Sequence, residues 1–331
     1  MPKPINNSAQ LAFIQKLKDV TPPNISLVDE LADLLQVSND SAYRRIRGET
    51  TLSIDEVVLL CNHYKISFDS FNNQHSGTVT FNCKSLGNND NSLEEYLTGI
   101  LTDLKNIQSF DKKEIIYAAE DIPVFHNFKF PELTAFKLFY WNKSVINPPS
   151  LSGKKFNFNS ISKEFINLTK DIYETYSTIP SIEVWTEETI SSLLKQIEFY
   201  WHAGLFENKD DALLVCDQVA QMISMIEKQA EMSSKNKNAA YENNFTLYNS
   251  EIMIGNNTIL VTMGEVKVTY ISYHFFNSMI TTNTSFCTET DNWLKNLTKK
   301  STLISGVAEK QRYQFFKKKY EAVKKLSDSI L

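Results

Sequence analysis

The 331-residue sequence predicts a mixed fold: an all-α unit of five short helices over residues 1–75, then an α+β unit over residues 78–331 with a small antiparallel sheet among many helices. Three observations predict it. The first 75 residues read as short amphipathic helices separated by clear caps and stops. A polar linker follows, "NNQHSG", Asn72–Gly77. Beyond it, strand-like alternation is interspersed with long helical patterns. A chain of this length also fits two domains of roughly 100–200 residues each.

The first helix runs from about Ser8 to Asp19, with Leu11, Ile14 and Leu17 on one face; Pro22 and Pro23 end it. Ser26 with Asp29 opens the second, whose inner stripe is Leu27, Leu31, Leu34 and Leu35, with Ala32 beside them. Val37 plugs the turn. Ser38 caps a third helix, Asn39 to about Arg47, and Gly48 stops it. Ser53 with Glu56 caps the fourth, which turns Ile54, Val57, Val58 and Cys61 inward. "ISFDSF", Ile66–Phe71, starts a fifth.

Two of these helices have the spacing of a helix-turn-helix. Ala32 lets the second and third helices cross closely, and Ala42 and Ile46 face the third helix toward the second. Its outer face is then free to enter the major groove of DNA. Over Ser8–Phe71, "LADLLQVSNDSAYRRIRGETTLSIDEVVLLCNHYKISFDSF" resembles the Cro/CI-type, or XRE-type, regulators. The resemblance rests on Leu31-Ala32, Leu35, Val37-Ser38, Ser41-Ala42, Arg44, Ile46 and Gly48, and implies a DNA-binding domain. Two positions depart from the family pattern. Gln36 stands where the family has glycine in the turn, and Arg45 where it has an apolar or aromatic residue.

Arginine is the chemical signal. Arg44, Arg45 and Arg47 lie within four positions, and the chain's only other arginine is Arg312; its remaining 30 basic residues are lysines. The planar guanidinium matches a guanine edge or a phosphate, which an ammonium does not. Asn39, Asp40, Tyr43 and Arg44 are assigned to base edges. Ser38, Ser41, Arg45, Arg47 and Thr50 are assigned to phosphates. The competing reading is a solvated face whose arginines pair with acids such as Glu49. Residues 1–77 hold seven Lys or Arg against nine Asp or Glu, a net −2, so non-specific affinity should be modest and salt-sensitive. A homodimer is expected on double-stranded DNA, its half-sites roughly 34 Å apart.

The rest of the chain carries no motif of comparable weight. Val79, Phe81 and Cys83 alternate as a strand. Ser92 with Glu95 opens a helix in which Leu93, Leu97, Ile100, Leu104 and Ile107 run for only about two heptads, which favours a packed helix over a dimer seam. Glu114–Ala118 reads as a strand and Pro131 as a helix start. Phe125, Phe128, Phe130, Phe136, Phe139, Tyr140 and Trp141 read as core, with a ligand pocket as the alternative; His126 reads as an isolated polar side chain. Helices are expected over about 160–178, 187–206 and 209–232, and a meander over 245–254, 258–263 and 266–275. Two more helices follow near 289–299 and 307–327. "FFKKKYEAVKK" reads as a solvated basic face, and "LISG", Leu303–Gly306, as backbone donors that could hold an anion.

Net charge is −5, and no run approaches the ~18 apolar residues of a membrane span. With no apolar signal core, a cytoplasmic protein without membrane contact is expected. Cys61, Cys83, Cys216 and Cys287 have no metal-ligand spacing and read as buried thiols. No nucleotide-binding, nucleophile-elbow or zinc-protease motif occurs, so no catalytic residue, metal or cofactor is assigned and no enzyme is expected. The expected function is a DNA-binding transcriptional regulator whose second unit dimerises and takes a small-molecule or protein effector. The alternatives are an antitoxin or defence component that binds another protein, and an enzyme with a DNA-binding appendage.

Overall fold

The computed structural model describes residues 8–22, 24–64, 66, 78–83, 92–236, 242–273 and 277–331. Four helices come first: α1 (Ser8–Val20), α2 (Leu27–Leu35), α3 (Asn39–Ile46) and α4 (Ile54–Tyr64). They bury Phe13, Ile14, Leu17, Leu31, Ala32, Ala42, Leu60 and Ile66 in a cluster of their own. Of the expected fifth helix only Ile66 is described; the rest of it and the linker lie outside the described residues.

Two inner faces differ from the sequence reading. Leu11 is exposed, and Phe13 joins Ile14 and Leu17 in its place. Ile54 and Val58 are 84% and 53% exposed, while Val57, Leu60, Cys61 and Tyr64 pack inward. Both sets obey the i, i+3, i+4, i+7 rule; they differ by a rotation of about 60° around the helix. Periodicity permits either, and packing against α2 selects one.

Gln36 ends α2 in the left-handed conformation, φ 52° and ψ 46°, and its N–H reaches the carbonyls of Ala32 and Asp33. The turn thus keeps a glycine-like shape without glycine. That conformation costs a residue with a Cβ about 1–2 kcal/mol, and glycine returns part of the gain as unfolded-state entropy. Gln36→Gly is therefore expected to stabilise the chain by about 0.5–1 kcal/mol in urea denaturation.

The remaining described residues are organised on one sheet. Its strands are β1 (Asn82–Cys83), β2 (Lys113–Ala119), β3 (Ser181–Trp185), β4 (Phe245–Asn249), β5 (Thr258–Met263), β6 (Val266–Tyr273), β7 (Asn277–Thr281) and β8 (Thr302–Leu303). The helices are α5 (Ser92–Gln108), α6 (Val124–Asn127), α7 (Pro131–Trp141), α8 (Lys163–Thr178), α9 (Ser191–His202), α10 (Lys209–Met232), α11 (Thr284–Lys299) and α12 (Glu309–Ile330).

The sheet corrects the fold expectation: it is neither small nor purely antiparallel. Its order is β1-β7-β6-β5-β2-β3-β4-β8, with β2, β3 and β4 parallel. Parallel neighbours need long crossovers, and the helices from α6 to α10 supply them. The expected meander is displaced: β4 pairs with β3 and β8, and the antiparallel run is β2-β5-β6-β7-β1. β3, in "SIEVW", is absent from the sequence reading.

Alternation divides the sheet into two faces. Ile115, Tyr117 and Ala119 point into the main core with α5, α7, α8 and α10, while Ile116 and Ala118 point to α11. Leu93, Leu97, Leu104 and Ile107 of α5 are buried there, as expected of a packed helix. Phe128, Phe136, Phe139 and Trp141 are core residues, and the Phe136 ring stacks on Phe206 at 5.5 Å.

Three smaller expectations change. Cys83 is exposed because its strand lies at the sheet's edge, whereas Cys216 and Cys287 are buried. In α12, Lys319 is buried and donates to the carbonyls of Thr186 and Glu187, with burial lowering its pKa to about 8. At the "LISG" turn the Gly306 N–H is taken by the Ala230 carbonyl, and Arg312 donates to the Gly306 carbonyl at 2.8 Å. No described helix is long and apolar enough to cross a membrane.

Candidate nucleic-acid interface and a cavity on the sheet

Helix α3 presents its outer face to solvent. Ser38 caps it, its Oγ accepting from the Ser41 N–H at 3.3 Å. Ser38, Asn39, Asp40, Tyr43, Arg44 and Arg47 are exposed, with Ser41 and Thr50 half-buried. Ala42 is fully buried against α2, which fixes which side faces out. The face is partly tied down. Asn39 Nδ2 donates to Asp29 Oδ1 at 3.0 Å. Arg44 and Arg47 stand 3.7 and 3.4 Å from Glu49, and the Arg47 guanidinium lies 5.9 Å from the Tyr43 ring centre. Such exposed pairs contribute about 0–1 kcal/mol each, so a phosphate or guanine edge can displace Glu49.

Arg45 turns the other way. Its Nε and Nη2 reach Glu56 Oε1 at 3.1 and 2.8 Å, and Nη1 reaches the Ser41 carbonyl at 3.3 Å. Glu56 Oε2 meanwhile accepts from the Ser53 N–H at 2.7 Å, closing the predicted cap of α4. The guanidinium assigned to phosphate is thus committed to Glu56 and the Ser41 carbonyl. Gln10 braces the same loop, donating to the carbonyls of Arg45 and Thr50 and accepting from the Leu52 N–H.

Burial pushes the Glu56 carboxyl up, but the Ser53 N–H and Arg45 outweigh it and hold it below its ordinary value. A carboxylate depressed in the folded state contributes stability above the unfolded pKa of about 4.3, and loses it as pH falls through the folded value. Arg45→Ala is accordingly expected to cost about 1–2 kcal/mol at neutral pH, with the difference from wild type shrinking at acid pH. Denaturation at pH 7 and pH 3 checks it.

The second unit holds a cavity of about 140 Å³ between the sheet and α5, lined also by residues of the α6 region, α7 and α9. Ile115, Tyr117, Ile259, Val261 and Tyr270 form its floor, and Ile100, Leu104 and Ile107 its roof. Phe125 and Trp141, two members of the aromatic cluster, line it. Its polar groups are specific. Lys137, almost fully buried, donates to Gln196 Oε1 at 2.8 Å and lies 3.9 Å from Asp121 Oδ2. Burial lowers its pKa while Asp121 raises it. Asn127 is 2% exposed, and its Oδ1 has no hydrogen-bond partner among the described residues.

Beneath the same face lies a polar network that sequence reasoning missed. Glu183 is fully buried on β3 and accepts from His126 Nε2 at 2.8 Å, Tyr176 OH at 2.5 Å and Trp185 Nε1 at 2.8 Å. Burial raises its pKa, but His126, Tyr176 and Lys235 prevail and hold it below the ordinary value. His126, read as isolated, is in fact a buried partner of this carboxylate. Lys235 Nζ donates to the carbonyls of Tyr176 and Ile179 and sits 3.8 Å from the Tyr176 ring centre. The available signal was "SIEVW" itself, a short β-branched run after Pro180 with one acid on the inward side.

Strand β7 connects the two regions. Ser278 and Ile280 line the cavity. β1 pairs along β7 at Asn82–Ile280 and Cys83–Met279, and Thr281 Oγ1 donates to the Thr80 carbonyl at 2.8 Å. Just past the strand, the Thr282 carbonyl accepts from Lys16 of α1 at 2.9 Å. Comparisons with protein-family models, curated proteins and solved structures return no match.

Proposed function

We propose that the chain is a sequence-specific DNA-binding regulator, with α2 and α3 as its helix-turn-helix and the second unit as its sensing and dimerising part. One observation carries the reading: three of the chain's four arginines lie at one capped, outward-facing helix, and two of them, Arg44 and Arg47, extend into solvent beside Tyr43. Arg44, Tyr43, Asn39 and Asp40 face base edges. Ser38, Ser41, Arg47 and Thr50 meet phosphates. Arg45 sets the angle of the helix on its own unit.

The cavity supplies the sensing half. A ligand changes DNA affinity only by the difference in its own affinity for the two arrangements of the reading helices. β7 is placed to couple them, since it walls the cavity and holds β1, and Thr282 just past it accepts from Lys16. The test is a mobility shift with the duplex upstream of the protein's own coding sequence, at several salt concentrations. The expected result is a complex that upstream duplex competes away and scrambled duplex does not. Equal competition by both would overturn the reading.

A further inference from the structure

The cavity wall keeps two fixed hydrogen-bond donors in reserve. Lys137, 3% exposed, carries three ammonium protons. Among the described residues its one hydrogen-bond acceptor is Gln196 Oε1 at 2.8 Å; Asp121 Oδ2, at 3.9 Å, is an ion-pair partner beyond hydrogen-bond reach. The Trp141 ring centre lies 5.3 Å from the same nitrogen. Gln196, Asp121 and Trp141 all line the cavity, which puts the ammonium at its wall. Asn257 lines it too. Its Oδ1 accepts from the Glu120 and Asp121 N–H groups at 2.8 and 3.1 Å. Those bonds fix the orientation of the amide and leave the Nδ2 protons without an acceptor among the described residues.

Both donors flank Asp121, so they share one end of the space. Asp121 itself is spent: Oδ1 accepts from the Ile122 N–H at 2.9 Å and Oδ2 from Ser192 Oγ at 3.3 Å. The hydroxyls of Tyr117 and Ser272 in the wall donate or accept as required, so the two fixed donors set the demand, which is for an acceptor. Charge then selects among acceptors. A ligand carboxylate beside Lys137 would also stand beside Asp121, and a ligand cation would compete with Lys137 for it. Either would leave water for walls made largely of Ile100, Leu104, Ile107, Ile115, Val261 and Ile280. A neutral oxygen meets the donors at neither cost. Volume sets the size, because a cavity of about 150 Å³ holds a benzene-sized molecule.

We infer that this cavity binds a small neutral carbonyl compound, with an apolar body of about one ring. Lys137 donates to the carbonyl oxygen, Asn257 stands across Asp121 as the second donor, and the body lies against the isoleucine and leucine side chains. The inference rests on the reading of the second unit as a sensor, but its test needs no DNA.

The full chain is titrated by calorimetry with cyclohexanone and with methylenecyclohexane, which carries a methylene carbon in place of the oxygen. Cyclohexylammonium and cyclopentanecarboxylate serve as charged counterparts of similar size. The expected result is binding of cyclohexanone at least ~10-fold tighter than that of the other three, a difference of about 1.4 kcal/mol. Lys137→Met keeps an unbranched side chain in the wall and should bind cyclohexanone and methylenecyclohexane alike. Equal or tighter binding of the hydrocarbon or of either ion by the wild-type chain overturns the inference. So does the absence of cyclohexanone binding at millimolar concentration, and so does a folded Lys137→Met chain that keeps the wild-type preference. The wild-type comparison decides even if the variant fails to fold. A failed mobility shift with intact cyclohexanone binding would count against DNA recognition alone, and the reverse pattern against this inference alone.

Discussion

Arg44→Ala together with Arg47→Ala is expected to reduce affinity for the upstream duplex by at least ~100-fold, because a bidentate base contact contributes about 1–3 kcal/mol and a phosphate contact adds to it. In a dimer the loss is counted at both half-sites. The two arginines should also separate. Arg44→Ala relaxes preference at one base pair, whereas Arg47→Ala weakens all duplexes alike and lowers the salt slope by about one. Folding should be little affected. Both side chains are more than half exposed, and among the described residues their ion-pair partner is the exposed Glu49; such surface changes stay within about 0.5 kcal/mol. Mobility shifts beside thermal melts decide it. Unchanged affinity in the folded double variant would remove α3 from the interface. Arg45→Ala is the internal contrast, since its guanidinium is spent on Glu56 and its loss should register first in stability.

Glu183→Ala is expected to destabilise the second unit by about 3–5 kcal/mol, the usual cost of removing one partner from a buried charged pair. The substitution strands three donors at once, on His126, Tyr176 and Trp185, in a site with no access to water. At about 2–4 °C per kcal/mol for a unit of this size, the melting temperature should fall by roughly 10 °C. Glu183→Gln keeps the shape and one acceptor oxygen, so it should cost less. The pH dependence has a definite sign. Glu183 is held below its ordinary value in the fold, so its contribution is complete above pH ~4.3 and is lost as pH falls through the folded pKa. The wild-type chain should therefore lose more stability on acidification than Glu183→Gln. If both variants melt within a degree of wild type, the network is not structural.

The first helices were legible because their signals are local. Ser26, Ser38 and Ser53 cap where they stand, and each side-chain bond closes three residues along. Arg44 and Arg47 could be placed outward from the spacing of Ala42 and Ile46 alone. What local signals left open was rotation: the inner stripe of α4 fits two faces, and only contact with α2 chose Val57 and Leu60 over Ile54 and Val58.

The second unit was less legible for the same physical reason. Parallel pairing of β2, β3 and β4 joins segments separated by whole helices, and no short-range pattern specifies such partners. Nothing local marks Lys137, Asn127 and Glu183 as buried, because polarity is intrinsic to a residue, whereas burial depends on what packs over it. The sequence by itself therefore determined the caps, the turn and the outward arginines. The tertiary structure alone decided the order of the sheet, the commitment of Arg45 to Glu56, the buried carboxylate network and the cavity, since each arises from groups far apart in the chain that meet only after the core has closed.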